Sequence, residues 1–357
     1  LADVHIQADV LDYEKIKKLV EKFKFKFITS DQSDISVNTV AQLNSYLELP
    51  GNYIENTDKF VNKYNMRIFA QKYGIPIPQF CKINRAADLQ KFINKVGLPI
   101  ILKPADSQSS RGVIKIDSNN LSSLDSFVVN SLKFANCGYL IAEEFIEGNE
   151  VTVEGIASNY KHRTLAISMK KHFRIGIASE LRYPAELPDK IYQEIEKWND
   201  LFVENSGLEF GITHAEYMIN ITTGSVVLIE IACRGGGTLI SSDIVHWVSG
   251  VNVYEKYYSN LNGEITNVKG LDVLKRHAIL KFFEFKSGVV KSILGLNSIK
   301  KNEKIISCEL GFKQGDTLQS ANDDRSRQGY YIAFANTKIE LDEIIELVAE
   351  TIKIEYE

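Results

Sequence analysis

From Leu98 onward the chain runs as short apolar segments broken by single charges, and this pattern limits the accessible folds more than any other feature. PIILK (99–103), RGVIKI (111–116), YLIAEEFI (139–146), EVTVEGIAS (150–158), RTLAISMK (163–170) and SVVLIEIA (225–232) are apolar, often β-branched, and short, so each reads as a strand. A helix around Pro188–Ser206 interrupts the series, and strands beyond about Val273 lead to a helix near Ile339–Ile352. Upstream, helical spacing over Asp12–Phe23, an apolar strand Phe25–Thr29 and a helix around Val37–Leu47 precede a break at Pro50-Gly51. Asn56-Thr57-Asp58 caps one further helix to about Tyr73, where Gly74, Pro76 and Pro78 stop it. The expected class is α+β, or mixed α/β.

At 357 residues the chain exceeds one ordinary core. Its net charge of −4 supplies no general attraction for nucleic acid or an anionic membrane, so any phosphate-binding surface has to be local. Cys81, Cys137, Cys233 and Cys308 form no CxxC pair, which disfavours zinc sites and disulfide frameworks and suits a cytoplasmic setting. No apolar run approaches the roughly 20 residues that span a bilayer, and LADVHIQADV shows no basic-then-apolar leader. The absence of an initiator Met leads us to expect residues upstream.

Two segments carry chemistry. Lys103 ends an apolar strand, where a lone charge is costly unless an anion meets it. The turn after it, with Ser109, Ser110 and Arg111, offers hydroxyls, backbone N–H groups and a guanidinium that can fold over phosphates. A plain polar hairpin explains this segment equally, and no GxxxxGK[ST] loop is present. The second is the pair HAEYM (214–218) and VVLIEIACRGGG (226–237), joined by a turn at Thr223-Gly224. As a hairpin it sets Glu216 beside Glu230 on one sheet face, where two carboxylates repel unless a cation such as Mg²⁺ lies between them. Arg234 follows closely enough to neutralise a transferring phosphoryl group. A hairpin with solvated glutamates is the alternative, and it accounts poorly for Glu230 within an apolar run.

Four segments, in order, resemble the ATP-grasp superfamily, especially its carboxylate–amine ligase, carbamoyl-phosphate-synthase-like and biotin-carboxylase-like branch. They are Asn62-Lys63 through Arg67 with YGIPIP (73–78), LPIILKPADSQSSRGV (98–113), IAEEFIEGNE (141–150) and the HAEY…LIEIACRGGG pair. The resemblance implies a partial N-terminal Rossmann-like domain (1–55), a subdomain with the phosphate-loop hairpin (56–138), a central subdomain with adenine and metal sites (139–270) and a C-terminal α+β subdomain (271–357). It further implies ATP held in a cleft: Lys63 and Lys103 on phosphates under the Ser109-Ser110-Arg111 loop, Glu143 and Glu144 with the backbone of Phe145 and Ile146 around adenine, and Glu150 on the ribose. Glu216 and Glu230 would bind Mg²⁺, with Mn²⁺ as an alternative, and Lys103 and Arg234 would serve catalysis.

The implied reaction activates a carboxylate as an acyl phosphate and joins it to an amine, with an amino-acid or peptide-like ligase favoured. A bicarbonate-using biotin or purine carboxylase and a non-catalytic nucleotide-binding protein stay as alternatives. Partners would be small-molecule carboxylates and amines, with a homodimer left open and neither nucleic acid nor membrane expected. The pattern departs from the family at Ala232, where an Asn is frequent, and in lacking a first strand with its Gly-rich turn. On the substrate side we place His214, Gly236, Gly237, Arg325 and Arg327, although His214 reads equally as a structural histidine and the two arginines as a solvated turn. The His172–Arg174 stretch is expected to be a mobile substrate loop.

Overall fold

The computed structural model describes residues 3–174, 176–321 and 324–357, without the Arg325 side chain. Helices α1 (Tyr13–Val20), α2 (Asp34–Leu47), α3 (Ile54–Val61) and α4 (Lys63–Lys72) come first. Residues 25–29, expected as a strand, have no strand assignment; among the described residues no strand precedes Phe80, so these residues have no ladder to join. Phe27 and Thr29 lie instead against Tyr258 and Tyr257. The single helix expected up to Tyr73 is two, because Asn62 leaves helical geometry (φ −103°, ψ 110°) and its side chain accepts from the N–H groups of Tyr64 and Asn65.

Strands β1 (Phe80–Ile83), β2 (Ile100–Pro104), β3 (Ile114–Ile116) and β4 (Leu140–Glu144) form an antiparallel sheet of order β1-β4-β2-β3. Helices α5 (Ala86–Val96) and α6 (Leu124–Leu132) cover it, burying Leu89, Phe92 and Val128 against Ile100, Leu102 and Leu140. This sheet draws β4 from just beyond the expected division at residue 138.

The body of the molecule is an eight-stranded antiparallel sheet. Its members are β5 (Asn149–Ser158), β6 (Lys161–Arg174), β7 (Ile177–Tyr183), β8 (Gly211–Asn220) and β9 (Ser225–Ala232), then β10 (His277–Phe282), β12 (Ile305–Leu310) and β14 (Gly329–Ala335). The intervening β11 (Gly288–Leu294) and β13 (Thr317–Leu318) pair with each other, and β11 with β15 (Lys353–Tyr356), in a separate three-stranded sheet. The large sheet has order β12-β14-β10-β7-β6-β5-β8-β9. The helix α7 (Asp189–Asn205), together with α3 and α4, packs Phe60, Met66, Ile195 and Phe202 against Val151, Val153, Tyr217 and Leu228. Helices α8 (Val245–Ser249) and α9 (Val253–Leu261) cover another part, around Ile156, Leu165 and Leu280. Of the last helices, α10 (Leu296–Lys300) and α11 (Lys338–Thr351), the latter packs Leu341, Ile344 and Val348 on Ile279 and Ala333. The expected loop at His172–Arg174 is the end of β6, hydrogen-bonded to β7.

Candidate active site

Side chains alternate across a strand, so Glu150, Thr152 and Glu154 of β5 share one face with Lys170 of β6 and with His214 and Glu216 of β8. On β9 the parity is broken. Glu216 stands opposite Glu230, while the next pair is Tyr217 with Leu228, so Ile229 is a bulge residue. The bulge lets Leu228 and Ile231 both reach the core while Glu230 turns toward Glu216. Its freed backbone is satisfied from α4, where Arg67 donates to the Ile229 carbonyl at 2.6 Å. The expected juxtaposition of Glu216 and Glu230 is present. Lys63 Nζ lies 3.3 Å from Glu230, and Lys170 Nζ lies 2.7 Å from Glu216 and 2.6 Å from Glu150.

The second cluster lies where β2 and β4 meet α4. Glu143 has one carboxylate oxygen 2.8 Å from Arg67 and the other 2.7 Å from Lys103. Burial alone would raise the Glu143 carboxyl, but these two cations outweigh it and hold it at about 2. Burial lowers the Lys103 ammonium, and the repulsion of Arg67 and Lys63 adds to that against the pull of Glu143. One buried carboxylate therefore faces more than one buried cation, which leaves the lysine end in want of an anion. Glu150 shows the same balance: burial raises it, Lys170 and His172 pull it down, and it settles at about 2.

The loop after β2 closes over this cluster. Lys63 Nζ donates to the Ser107 carbonyl at 2.7 Å, and Ser109 and Ser110 both adopt φ 57°. Left-handed backbone at two successive non-glycine residues stores strain of a kind that collects at ligand clamps. Ser110 also packs against Gly176 at the β6–β7 tip, where a Cβ would come within 3.0 Å of its Oγ. Gln108 accepts from the Asp34 N–H at the start of α2, and Asp34 in turn takes the Arg234 guanidinium on both oxygens, at 2.8 and 2.7 Å. Burial disfavours the Arg234 charge, but Asp34 outweighs it and raises the group's pKa.

Two cavities meet along this line. One is bordered by Lys63, Lys103, Arg111, Glu144, Phe145 and Ile146, the other by Asp34, Thr152, His214, Arg234, Gly237 and Arg327. Gln108, Ser109, Ser110, Lys170, Glu216 and Glu230 border both. Phe145 and Ile146 border the same cavity as the two lysines, and the Phe145 N–H, which the resemblance set at the adenine edge, is donated to the Pro99 carbonyl. Glu143 borders the first cavity with both oxygens engaged by cations, and Glu144 accepts from the Gln79 N–H. His214 donates or accepts at Nδ1 with Glu154, 2.8 Å away; burial lowers its pKa, and Glu154 more than reverses this. Gly236 is buried, donates its N–H to Ser241 Oγ and borders neither of these two cavities. Arg327 lies 3.1 Å from Asp324 and stacks at 3.5 Å over the Phe282 ring. The Arg325 side chain lies outside the described residues. Ala232 is buried opposite His214.

Sequence reasoning overlooked Lys170, Asp34 and Gln108. Lys170 carried a readable signal, a charge closing the apolar run RTLAISMK as Lys103 closes PIILK. Asp34 and Gln108 carried none, since their partners lie 200 and 74 residues away in the chain. Among the described residues no three His, Cys, Asp or Glu side chains converge to hold a metal, and no helix is long and apolar enough to cross a membrane.

Residues 96–243 match the ATP-grasp domain family, and residues 281–357 match L-amino acid ligase C-terminal domain 2. The chain is 25% identical over 365 aligned positions to the L-arginine-specific L-amino acid ligase of Bacillus subtilis, covering 98% of this chain and 85% of that one. It is 23% identical to the uncharacterized protein y4rH of Sinorhizobium fredii, covering 88% of this chain but 65% of the relative's length. The crystal structure of the L-amino acid ligase from Bacillus licheniformis superposes with a TM-score of 0.82 at 20% identity, covering 97% of this chain and 84% of that one. The chain therefore carries an ATP-grasp domain over residues 96–243 and, over residues 281–357, a segment that matches L-amino acid ligase C-terminal domain 2.

Proposed function

We propose that the protein is an ATP-dependent ligase that activates the carboxylate of one amino acid as an acyl phosphate and joins it to the amine of a second. The observation that carries this reading is that two differently lined cavities share Glu216, Glu230 and the 108–110 loop as a common border. A nucleotide in the first would bring its terminal phosphate to the border, and a carboxylate in the second would meet it there. The C-terminal domain match and the B. subtilis relative favour amino acids over bicarbonate as the acid.

In this reading Lys63 and Lys103 neutralise the phosphates, with Ser109, Ser110 and Arg111 folded over them. Phe145 and Ile146 flank the base, and Glu150 reaches the ribose once released from Lys170. Two opposed carboxylates with hard oxygen donors fit a small divalent cation that takes its other ligands from phosphate and water. Glu216 and Glu230 would hold Mg²⁺ or Mn²⁺, which when bound supplies charge neutralisation between phosphate oxygens. A substrate carboxylate oxygen bonds to the γ-phosphorus as the bond to the ADP oxygen breaks. The amine then bonds to the acyl carbon, phosphate leaves and the nitrogen loses a proton. Arg234, oriented by Asp34, faces the acyl phosphate. Arg327 offers its guanidinium to a substrate carboxylate.

The test is phosphate release from Mg-ATP over a panel of amino-acid pairs and bicarbonate. Glu230→Gln should abolish release while leaving the circular dichroism spectrum unchanged; undiminished turnover in that variant would sink the assignment.

A further inference from the structure

Lys170 and His172 stand two residues apart on β6, and both reach the Glu150 carboxylate at the start of β5. Lys170 lies directly opposite Glu150 and holds one oxygen at 2.6 Å, while His172 reaches back along the strands and sets Nε2 3.2 Å from the other. An ionised carboxylate only accepts, so His172 Nε2 carries the hydrogen of that contact. The backbone is irregular at this point. Register against β7 steps from Lys171 opposite Glu180 to His172 opposite Ala178, then to Arg174 opposite Ile177, so one extra residue on each strand flanks the histidine. Bulges of this kind re-aim a side chain. The side chain they re-aim here borders the same cavity as Lys63, Lys103 and Phe145.

A carboxylate has about four acceptor sites, two per oxygen. Lys170 and His172 each take one, on different oxygens, and the site left on each oxygen matches one of two neighbouring hydroxyls. Lys170 also serves Glu216, so a cation arriving at that carboxylate repels it and loosens its hold on Glu150. His172 pairs with Glu150 and lies outside that competition. We infer that His172 is a positioning residue: it fixes Glu150 to read both ribose hydroxyls, and so sets the preference of the site for a ribonucleotide over its 2′-deoxy counterpart. The inference rests on the assignment of this cavity to a nucleotide in the ligase reading. Without the histidine the carboxylate turns about its side-chain bonds, and ordering it against the ribose is charged to binding.

Calorimetry of the full chain with Mg-ADP and with Mg-2′-deoxy-ADP tests this without turnover. The unaltered protein should bind ADP about tenfold or more tightly, the loss expected for one hydrogen bond to a charged acceptor. His172→Gln keeps an N–H near the place of Nε2 and should keep most of that ratio. His172→Asn is one methylene shorter and leaves Glu150 out of reach. In it ADP should weaken until the ratio falls to about threefold or less, with 2′-deoxy-ADP little changed. A purely structural role for the ring would weaken both nucleotides alike and in both variants. An unchanged ratio in His172→Asn, an equal loss in His172→Gln, or equal binding of the two nucleotides by the unaltered protein overturns the inference. None of these touches the ligase reading, which phosphate release decides. The expected ratios with no release for any amino-acid pair overturn the ligase reading and leave the inference standing. Binding of neither nucleotide overturns both.

Discussion

Lys170 holds its ammonium between Glu150 and Glu216, at 2.6 and 2.7 Å, where a ribose and a metal-bound phosphate would make their claims on the same carboxylates. Burial disfavours this charge, but the two glutamates outweigh it, so the group stays protonated and acts as a fixed cation between them. A cation arriving at Glu216 has to displace or oppose it. Lys170→Met should therefore tighten Mn²⁺ binding without nucleotide by about threefold or more, since a like charge within a few ångströms is removed. Free Mn²⁺ measured by electron paramagnetic resonance checks this; unchanged or weaker binding would show that the ammonium does not compete. Glu143 plays a different part at the same scale, fixing Lys103 from one side and Arg67 from the other.

Among the elements, the junction of α3 and α4 places the first lysine. Asn62 caps α4 with its side-chain oxygen and donates its amide N–H to the Tyr139 hydroxyl at 2.7 Å, while the Lys63 N–H donates to the Ala105 carbonyl. That one residue orients both the helix start and the chain beside the loop after β2. Asn62→Ala should cost about 1 kcal/mol, which for a chain of this size lowers the melting temperature by roughly 1–2 °C. Because Lys63 is displaced with the cap, the KM for ATP should rise more than the melting loss alone explains. A variant with the lower melting temperature and unaltered KM would separate the cap from the site. The helical periodicity of 56–73 was legible in the sequence, and the break within it carried a local signal that was passed over, since Asn62 is a residue type suited to capping and accepts from N–H groups only two and three residues on.

On the scale of the whole molecule, the N-terminal helices are bound to the central sheet through polar contacts as well as core packing. Asp34 grips Arg234, Asn56 donates to the Gly207 carbonyl at 2.8 Å and Lys59 to the Ser206 carbonyl at 2.6 Å. The Asp34–Arg234 pair is mostly buried, with both side chains 14% exposed. Asp34→Ala leaves the guanidinium there without its carboxylate and should cost roughly 3 kcal/mol. The double variant with Arg234→Met should cost less than the sum of the two single changes, as denaturant unfolding can measure. Additive costs would mean that the pair does not join the two regions energetically. Gln108, whose side chain accepts from the Asp34 N–H, links this same contact to the loop over the lysines.

Apolar runs interrupted by single charges already determine the central strands and the hairpin that carries Glu216 and Glu230, because these depend on spacing within a few residues; that the two carboxylates face each other depends on the bulge at Ile229, without which the register would set Glu216 opposite Ile229. The stretch 25–29 shows the limit of that reasoning: apolar residues become a strand only where a neighbouring ladder receives their backbone groups. Tertiary structure alone decided the bulge at Ile229, the pairing of Arg234 with Asp34 and the position of Lys170 between two acids. Each requires segments distant in the chain to supply a matching charge or hydrogen bond, and such a match exists only after the sheets and helices have packed.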